Sequence, residues 1–154
     1  MLEILFKAKR IDNGEWVEGC LLVIGEKTYI ICQAEVMYVD NENTDLYATE
    51  WYEVDKYTIC QYTKLNDMYD DKIWENDFVK FEDVGEEGFE YIEGFDYENV
   101  AKVVFHNGRW ELDNFGEYNS AVYEEMNDHN ELFTTLIHSK VIGNVFDNPG
   151  LLEE

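Results

Sequence analysis

Two Asn-Gly dipeptides constrain the fold of this chain more than any other feature of its sequence. Asn13-Gly14 and Asn107-Gly108 each lie between runs in which apolar and polar residues alternate. Asn and Gly both tolerate positive φ, so this dipeptide is the strongest short-range signal for a tight β-hairpin. We therefore predict a hairpin at each of the two positions.

The rest of the sequence also favours strands. Short runs of β-branched and aromatic residues alternate with polar turns, and only residues 118–129 place their apolar side chains at helical spacing. No Pro-rich or Ser-rich linker divides the chain. The predicted fold is mainly β: a small barrel- or sandwich-like single domain over residues 1–154, built from hairpins, with at most one short helix near 117–130. A C-terminal tail is expected from about residue 147, just before Pro149.

The alternation of apolar and polar residues also selects a core. In residues 77–82, for example, Val79 and Phe81 share one face of the strand candidate and Lys80 shares the other with a glutamate. The three cysteines each lie among apolar neighbours, which predicts buried thiols in a reducing cytosol. Ten side chains are predicted to be mostly buried: Phe6, Trp16, Val79, Phe81, Val103, Phe105, Trp110, Leu112, Ile142 and Val145.

The charge excludes whole classes of function. The chain carries 35 Asp and Glu against 11 Lys and Arg, a net charge of −24. Such a field repels phosphate backbones and anionic lipids, so we expect no direct binding to nucleic acid or to membrane surfaces. The sequence contains no apolar run of 18 residues and no basic start followed by an apolar segment. We therefore expect a cytoplasmic protein.

Three blocks of sequence carry a specific pattern. Residues 4–19 read ILFKAKRIDNGEWVEG; residues 61–80 contain QYT, then Leu65 and Asp67, then KIWENDFVK; residues 141–152 read VIGNVFDNP followed after one residue by two leucines. In this order, and over nearly the whole chain, the blocks resemble the YopX family of phage and prophage proteins.

The resemblance implies a mainly β fold in a small soluble protein made inside bacteria, and it supplies no catalytic residues. Where the family has Gly, this chain has Cys60, Lys64 and Asn76, and residues 82–98 look like an insertion relative to shorter relatives. We interpret the block at residues 74–77 as fold-forming, because a polar turn that enters a buried strand needs these residue types.

Catalytic, cofactor and metal sites are not predicted. Serine occurs only at Ser120 and Ser139, outside any nucleophile elbow, and the three histidines lack ligand spacing. The loop that begins at Asp40 resembles a calcium loop in its alternating oxygen ligands, but it has Asp45 where that loop needs Gly and Trp51 where it needs Glu. The question of an enzyme stays open and leans towards no.

The acidic stretch at residues 82–98 is the one compositional anomaly. It holds eight acids and no base, with aromatic residues interleaved. We predict that residues 85–96 form an exposed excursion between two strands, either as a solvated loop or as a recognition surface for a basic protein. The candidate partner surface comprises Glu86, Glu87, Glu90, Tyr91, Glu93, Phe95 and Asp96.

The leading functional hypothesis is a non-catalytic protein-binding or regulatory module without a cofactor, whose partner is a basic host or phage protein. One alternative is a DNA-mimic inhibitor of a host DNA-binding protein, in which carboxylates imitate phosphates. A second alternative is a small-molecule or sugar-acting enzyme that uses paired carboxylates. The sequence leaves the oligomeric state open.

Overall fold

Ten β-strands and one short α-helix form the described part of the chain. The computed structural model describes residues 4–40, 44–82, 98–113 and 131–152, and the chain divides into two compact units, Met1–Tyr62 and Thr63–Glu154. The mainly β prediction is confirmed, whereas the single domain stays a prediction. The strands are β1 Phe6–Lys9, β2 Trp16–Ile24, β3 Lys27–Tyr38, β4 Thr44–Glu53, β5 Cys60–Asn66, β6 Lys72–Trp74, β7 Asp77–Glu82, β8 Glu98–His106, β9 Arg109–Asp113 and β10 Lys140–Asn144. The helices are α1 Glu131–Ile137 and the 3-10 turns Lys56–Thr58 and Pro149–Leu152.

In the first unit the strands lie in the order β4-β3-β2-β1-β5. Strand β2 pairs with β1 up to Gly19 and with β3 from the next residue on. A Cβ at Gly19 would lie 2.1 Å from the carbonyl oxygen of Ile31, so this change of partner requires glycine. The buried core consists of Ala8, Ile30 and Val54.

This sheet does not close into a barrel. An isolated bridge between Arg10 and Val54 does connect the chain just after β4 to the end of β1. The backbone N–H of Asp55 also donates to the carbonyl of Lys9 at 2.8 Å. The backbone N–H of Val54 donates to the carbonyl of Thr28 at 2.9 Å, so the first residues of β3 also lie beside the end of β1 and the end of β4.

Both predicted Asn-Gly hairpins are present. Asn107 and Gly108 have φ of 50° and 81°, between the paired residues His106 and Arg109, as a two-residue type I′ turn requires. At the other hairpin Gly14 has φ of 74°, and its N–H donates to the carbonyl of Arg10 at 3.0 Å. The prediction held because turn chemistry is local.

The second unit contains a four-stranded antiparallel sheet in the order β10-β7-β8-β9, together with β6 beside the end of β5. Neighbouring residues Phe78 and Val79 are both fully buried, so β7 is covered on both faces. Helix α1 supplies Leu136 to the core. The buried cluster comprises Ile73, Val79, Phe81, Ala101, Val103, Leu112 and Leu136.

Two sequence predictions fall outside the described residues. Strands β7 and β8 pair antiparallel up to Glu82 and Glu98, so the acidic stretch joins two paired strands, but residues 83–97 are not described. The helix predicted near 117–130 is not described either, and the described helix begins at Glu131.

The predicted core was correct in its centre and wrong at one end. Val79, Phe81, Val103 and Leu112 are buried, whereas Phe105 is 48% exposed. Phe105 shares its face of β8 with Val103 but lies beside the turn, where its main aromatic neighbour is Trp110 at 5.0 Å between ring centroids. The remaining predicted core residues are half-buried: Phe6, Trp16, Trp110, Ile142 and Val145.

The cysteine prediction was also wrong at one position. Cys60 is buried and Cys32 is half-buried, and burial raises the pKa of the Cys32 thiol. Cys20 is exposed because the alternation of β2 turns Gly19 and Leu21 inwards and Cys20 outwards. Because β2 has apolar residues on both faces, the sequence does not indicate which of its residues point inwards.

Candidate functional site: the outer β3–β4 ribbon

The residues of the second sequence block maintain the fold of the second unit. The carboxylate of Asp67, which is 6% exposed, accepts three backbone N–H groups. They come from Tyr69 at 2.8 Å, Asp71 at 3.0 Å and Val141 at 2.9 Å. One side chain therefore fixes the turn after β5 and attaches it to β10.

The turn between β6 and β7 is built in the same way. The N–H of Trp74 donates to the buried carboxylate of Asp77 at 2.8 Å, and the hydroxyl of Thr63 donates to the carbonyl of Ile73 at 2.8 Å. Asn76 has φ of 66°, and Lys64 in β5 has φ of 71°. Two of the three positions where the resemblance implies Gly thus adopt a glycine-like backbone, which supports the fold-forming interpretation.

The closing sequence block forms a hydrogen-bonded loop after β10. The side-chain oxygen of Asn144 accepts the N–H groups of Phe146 and Asp147, both at 3.0 Å. The side-chain oxygen of Asn148 accepts the N–H of Asn144 at 3.2 Å. A Cβ at Gly143, whose φ is 156°, would lie 2.3 Å from that same Asn148 oxygen. These polar residues hold the backbone in place.

The described histidines and acids do not assemble a metal centre. Across residues 4–40, 44–82, 98–113 and 131–152, no group of three His, Cys, Asp or Glu side chains could hold an ion. His106 lies 3.2 Å from Glu111, whose pKa is lowered by the hydrogen bond from Arg109. The Nδ1 of His138 lies 2.9 Å from the carbonyl of Thr134.

The outer half of the β3–β4 hairpin differs from the rest of the described structure. Strand β3 pairs with β2 only as far as Ile31. From Gln33 to Tyr38 its partner among the described strands is β4 alone. All residues in the segments 33–38 and 44–50 are exposed. We call these two segments the outer ribbon.

Two β-bulges separate the outer ribbon from the inner hairpin. Between the pairs Ile31–Trp51 and Gln33–Glu50, β3 has one extra residue, Cys32. Between Gln33–Glu50 and the pair of Ala34 with Ala48, β4 has one extra residue, Thr49. Bulges increase the local twist of a strand pair and change the direction of its side chains.

One face of the outer ribbon carries no charge. Directly opposed residues of an antiparallel pair lie on the same face. The pairs Val36–Leu46 and Tyr38–Thr44 therefore share a face, and Val36, Tyr38 and Leu46 are 54%, 82% and 73% exposed. The apolar ribbon face, as we name it, comprises Ala34, Val36, Tyr38, Thr44, Leu46 and Ala48.

Acidic side chains lie on the face of the outer ribbon opposite to this one. From Thr28 to Asp55 the sequence contains no Lys or Arg, and the opposite ribbon face carries Glu35 and Asp45. The hydroxyl of Tyr47 donates to Asp45 at 3.1 Å. The outer ribbon thus has one charge-free face and one face that carries acids.

Sequence reasoning missed this surface. It treated the chain from Asp40 as a loop and assigned no strand to residues 44–53. Tyr47, Trp51 and Tyr52 favour a strand at β4, but these residues do not indicate that its outer half is exposed. The predicted partner surface at residues 86–96 lies outside the described residues.

Comparison with known proteins identifies the family of this chain. The YopX protein family model matches residues 5–153. The chain belongs to the YopX family. This YopX-family chain is similar to a solved structure described as the crystal structure of protein EF1440 from Enterococcus faecalis, with 18% identity, 99% of each chain covered and a TM-score of 0.61. At that identity the similarity shows the fold alone. A search of curated proteins found no match.

No helix within the described residues of this YopX-family chain is long and apolar enough to cross a membrane.

Proposed function

We propose that this YopX-family chain is a non-catalytic protein-binding or regulatory module that docks its partner on the apolar ribbon face. The observation that carries the proposal is the exposure of Val36, Tyr38 and Leu46 together on a charge-free face. Contiguous exposed apolar surface with a polar border is typical of protein interaction sites. The family resemblance adds the expectation of a phage or prophage origin and of action in the bacterial cytosol.

The energetics of the outer ribbon favour a partner. A two-stranded hairpin without a packed face is at best marginally stable in water. Complete burial of a Val or Leu side chain contributes about 1.5–3 kcal/mol relative to its full exposure. A partner that covers Val36 and Leu46 would therefore gain binding energy and order the ribbon at the same time.

Charge selects the chemistry of that partner. The opposite face of the ribbon carries Glu35 and Asp45, and the chain has a net charge of −24. A second copy would bring like charges within the Debye length of about 8 Å at physiological salt. A basic host or phage protein with an apolar patch is complementary in both respects. The acidic stretch at residues 86–96 remains proposed as a second element that attracts such a partner.

Capture from host lysate with matched variants tests the proposal. Val36→Asp places a charge in the apolar ribbon face, and Val23→Asp is the matched control because Val23 is 60% exposed on β2. We expect the unaltered chain and Val23→Asp to retain one discrete basic protein at low salt and to release it at high salt. Val36→Asp should lose it. Circular dichroism confirms that each variant is folded.

Two outcomes contradict the proposal. In one, Val36→Asp captures the same proteins as the unaltered chain, which removes the ribbon face from recognition. In the other, sedimentation shows that the purified chain is a dimer and that Val36→Asp makes it monomeric, which identifies a second copy as the occupant of the face.

A further inference from the structure

The basic residues of the first unit are concentrated in one place. Residues 1–62 contain twelve acids and five Lys or Arg residues. Four of these five, Lys9, Arg10, Lys27 and Lys56, line a single cleft of about 510 Å³. The cleft lies where the ends of β1, β3 and β4 meet, away from the outer ribbon. In a chain with a net charge of −24, such a concentration makes this cleft a distinct electrostatic environment.

Arg10 forms a fixed cationic wall of the cleft. Its Nε and Nη2 donate to the two carboxylate oxygens of Asp12 at 2.9 and 2.6 Å. The guanidinium also lies 3.9 Å from the ring centroid of Tyr52. The hydrogen bond to Asp12 raises the pKa of Arg10 and lowers the pKa of Asp12. Because the guanidinium is held by Asp12 and by the ring of Tyr52, it loses little conformational entropy when a ligand binds.

The two lysines across the cleft are more adaptable. Lys27 donates to Glu53 at 3.0 Å, but the side chains are 61% and 36% exposed. An exposed ion pair of this kind contributes little, so an anionic ligand competes for the ammonium at small cost. Lys56 lies over the ring of Tyr57, with its Nζ 5.2 Å from the centroid.

Tyr57 adds a flat apolar surface beside these cations. Its ring is 78% exposed, although it lines the cleft. The backbone beneath it is fixed, because the carboxylate of Asp55 accepts the N–H of Tyr57 at 3.0 Å and begins the 3-10 turn. This bond also occupies one oxygen of Asp55, one of the three acids of the cleft. Of the other two, Glu53 is paired with Lys27, and Glu26 completes the lining.

We propose that this cleft binds a small phosphate ester that carries a planar ring. The phosphate oxygens meet the ammonium groups of Lys27 and Lys56 beside Arg10, and the ring lies on Tyr57. The volume falls within the range of about 300–1,000 Å³ that is usual for small-molecule sites. Lysine suits phosphate as a mobile point charge, and an exposed tyrosine suits a planar ring. This ligand site is separate from the proposed protein-docking face.

A titration of the full chain with phenyl phosphate tests the proposal. Backbone amide signals are followed by NMR, with inorganic phosphate and phenol as the two halves of the probe. We expect phenyl phosphate to shift the signals of Lys27, Lys56 and Tyr57 at the lowest concentration, inorganic phosphate to need more, and phenol to need most. Phenol that binds as tightly as phenyl phosphate would overturn the role of the cations. Phosphate that binds as tightly as phenyl phosphate would overturn the role of the ring.

Variants assign the effect to the cleft. The double substitution Lys27→Gln and Lys56→Gln should weaken phenyl phosphate binding by about tenfold or more, which corresponds to about 1.4 kcal/mol. The control Lys72→Gln changes an exposed lysine of β6 and should alter affinity by less than about twofold. Tyr57→Leu should weaken phenyl phosphate and leave inorganic phosphate unchanged. Absence of shifts at the cleft, or an equal loss in Lys72→Gln, contradicts the proposal.

Discussion

Among the described residues, the second unit buries most of its large apolar side chains, whereas the first unit leaves many of them in solvent. In the second unit Phe78, Ile73 and Leu136 are almost completely buried. Among the described residues, thirteen of the seventeen exposed large hydrophobic side chains belong to the first unit. Both units are β-sheet structures, so secondary structure does not explain the difference.

The difference separates residues that maintain the fold from residues available to a partner. In the second unit the polar groups of Asp67, Asp77 and Asn144 are used by backbone N–H groups. In the first unit the apolar ribbon face carries Val, Leu and Tyr side chains, which proteins usually bury. Among the described strands, the outer half of β3 pairs only with β4. The second unit thus uses its buried polar groups to stabilise the fold, whereas the apolar ribbon face of the first unit is suited to binding a partner.

The largest expected effect contrasts the two apolar surfaces directly. Phe78→Ala should lower the free energy of unfolding by about 3–5 kcal/mol, because it empties a fully buried position. Leu46→Ala on the ribbon should change it by less than about 0.5 kcal/mol. Urea unfolding of both variants measures the contrast. Equal losses would show that the ribbon is part of the core.

A smaller effect tests whether the buried acid is structural. Asp67→Ala should cost about 2–3 kcal/mol, because it leaves buried N–H groups without their acceptor. Asp71→Ala is the control, since Asp71 is exposed and contributes its backbone N–H to the same turn. If thermal unfolding of the two variants coincides, the carboxylate of Asp67 does not hold the turn.

Phe105 sharpens the boundary of the core. The sequence places it in the core, which would make Phe105→Ala cost about 3–5 kcal/mol. At 48% exposure its main contribution is the edge-to-face contact with Trp110, so we expect a loss of about 1 kcal/mol. Chemical denaturation distinguishes the two values, and a loss above about 3 kcal/mol would restore the residue to the core.

The smallest effect has the opposite sign. Lys64 has φ of 71°, a conformation that costs a non-glycine residue about 1–3 kcal/mol. Lys64→Gly removes that cost. Glycine also makes the unfolded chain more flexible, which lowers the free energy of unfolding by about 0.5–1 kcal/mol, so we expect a net stabilisation of about 0.5–1 kcal/mol. Lys72 in β6 has no positive φ, so Lys72→Gly relieves no backbone strain and should lower the melting temperature. A melting temperature that falls in both variants would refute the assignment of strain to Lys64.

Local chemistry explains which elements could be predicted. The turns at Gly14 and Gly108 depend on backbone freedom that the sequence states directly, and both were correct. The alternation that buries Val79 and Phe81 has a period visible without a structure. The family blocks supported the mainly β fold and the fold-forming interpretation of residues 74–77, where Asp77 accepts the backbone N–H of Trp74.

Exposure required the structure. Phe105 and Val103 lie on the same face of β8, but Val103 is buried and Phe105, beside the turn, is exposed. The apolar ribbon face could not be predicted, because Val36 and Leu46 in isolation read as core residues. Their exposure depends on where β2 stops pairing with β3, and sequence reasoning had no strand at β4 to pair with Val36.

The paired bulges at Cys32 and Thr49 bear on how the hairpin can change in length over evolution. Each adds one residue to one strand, and together they restore the original register, so Ala34 meets Ala48 as Ile31 meets Trp51. The extra residue of each bulge is unpaired, so the loss of either one would remove its bulge and leave the outer pairs with their present partners. Such a loss would change the twist at the base of the ribbon, and with it the direction in which the apolar ribbon face points relative to the inner hairpin. A change in length at this position therefore reorients the apolar ribbon face without dismantling it.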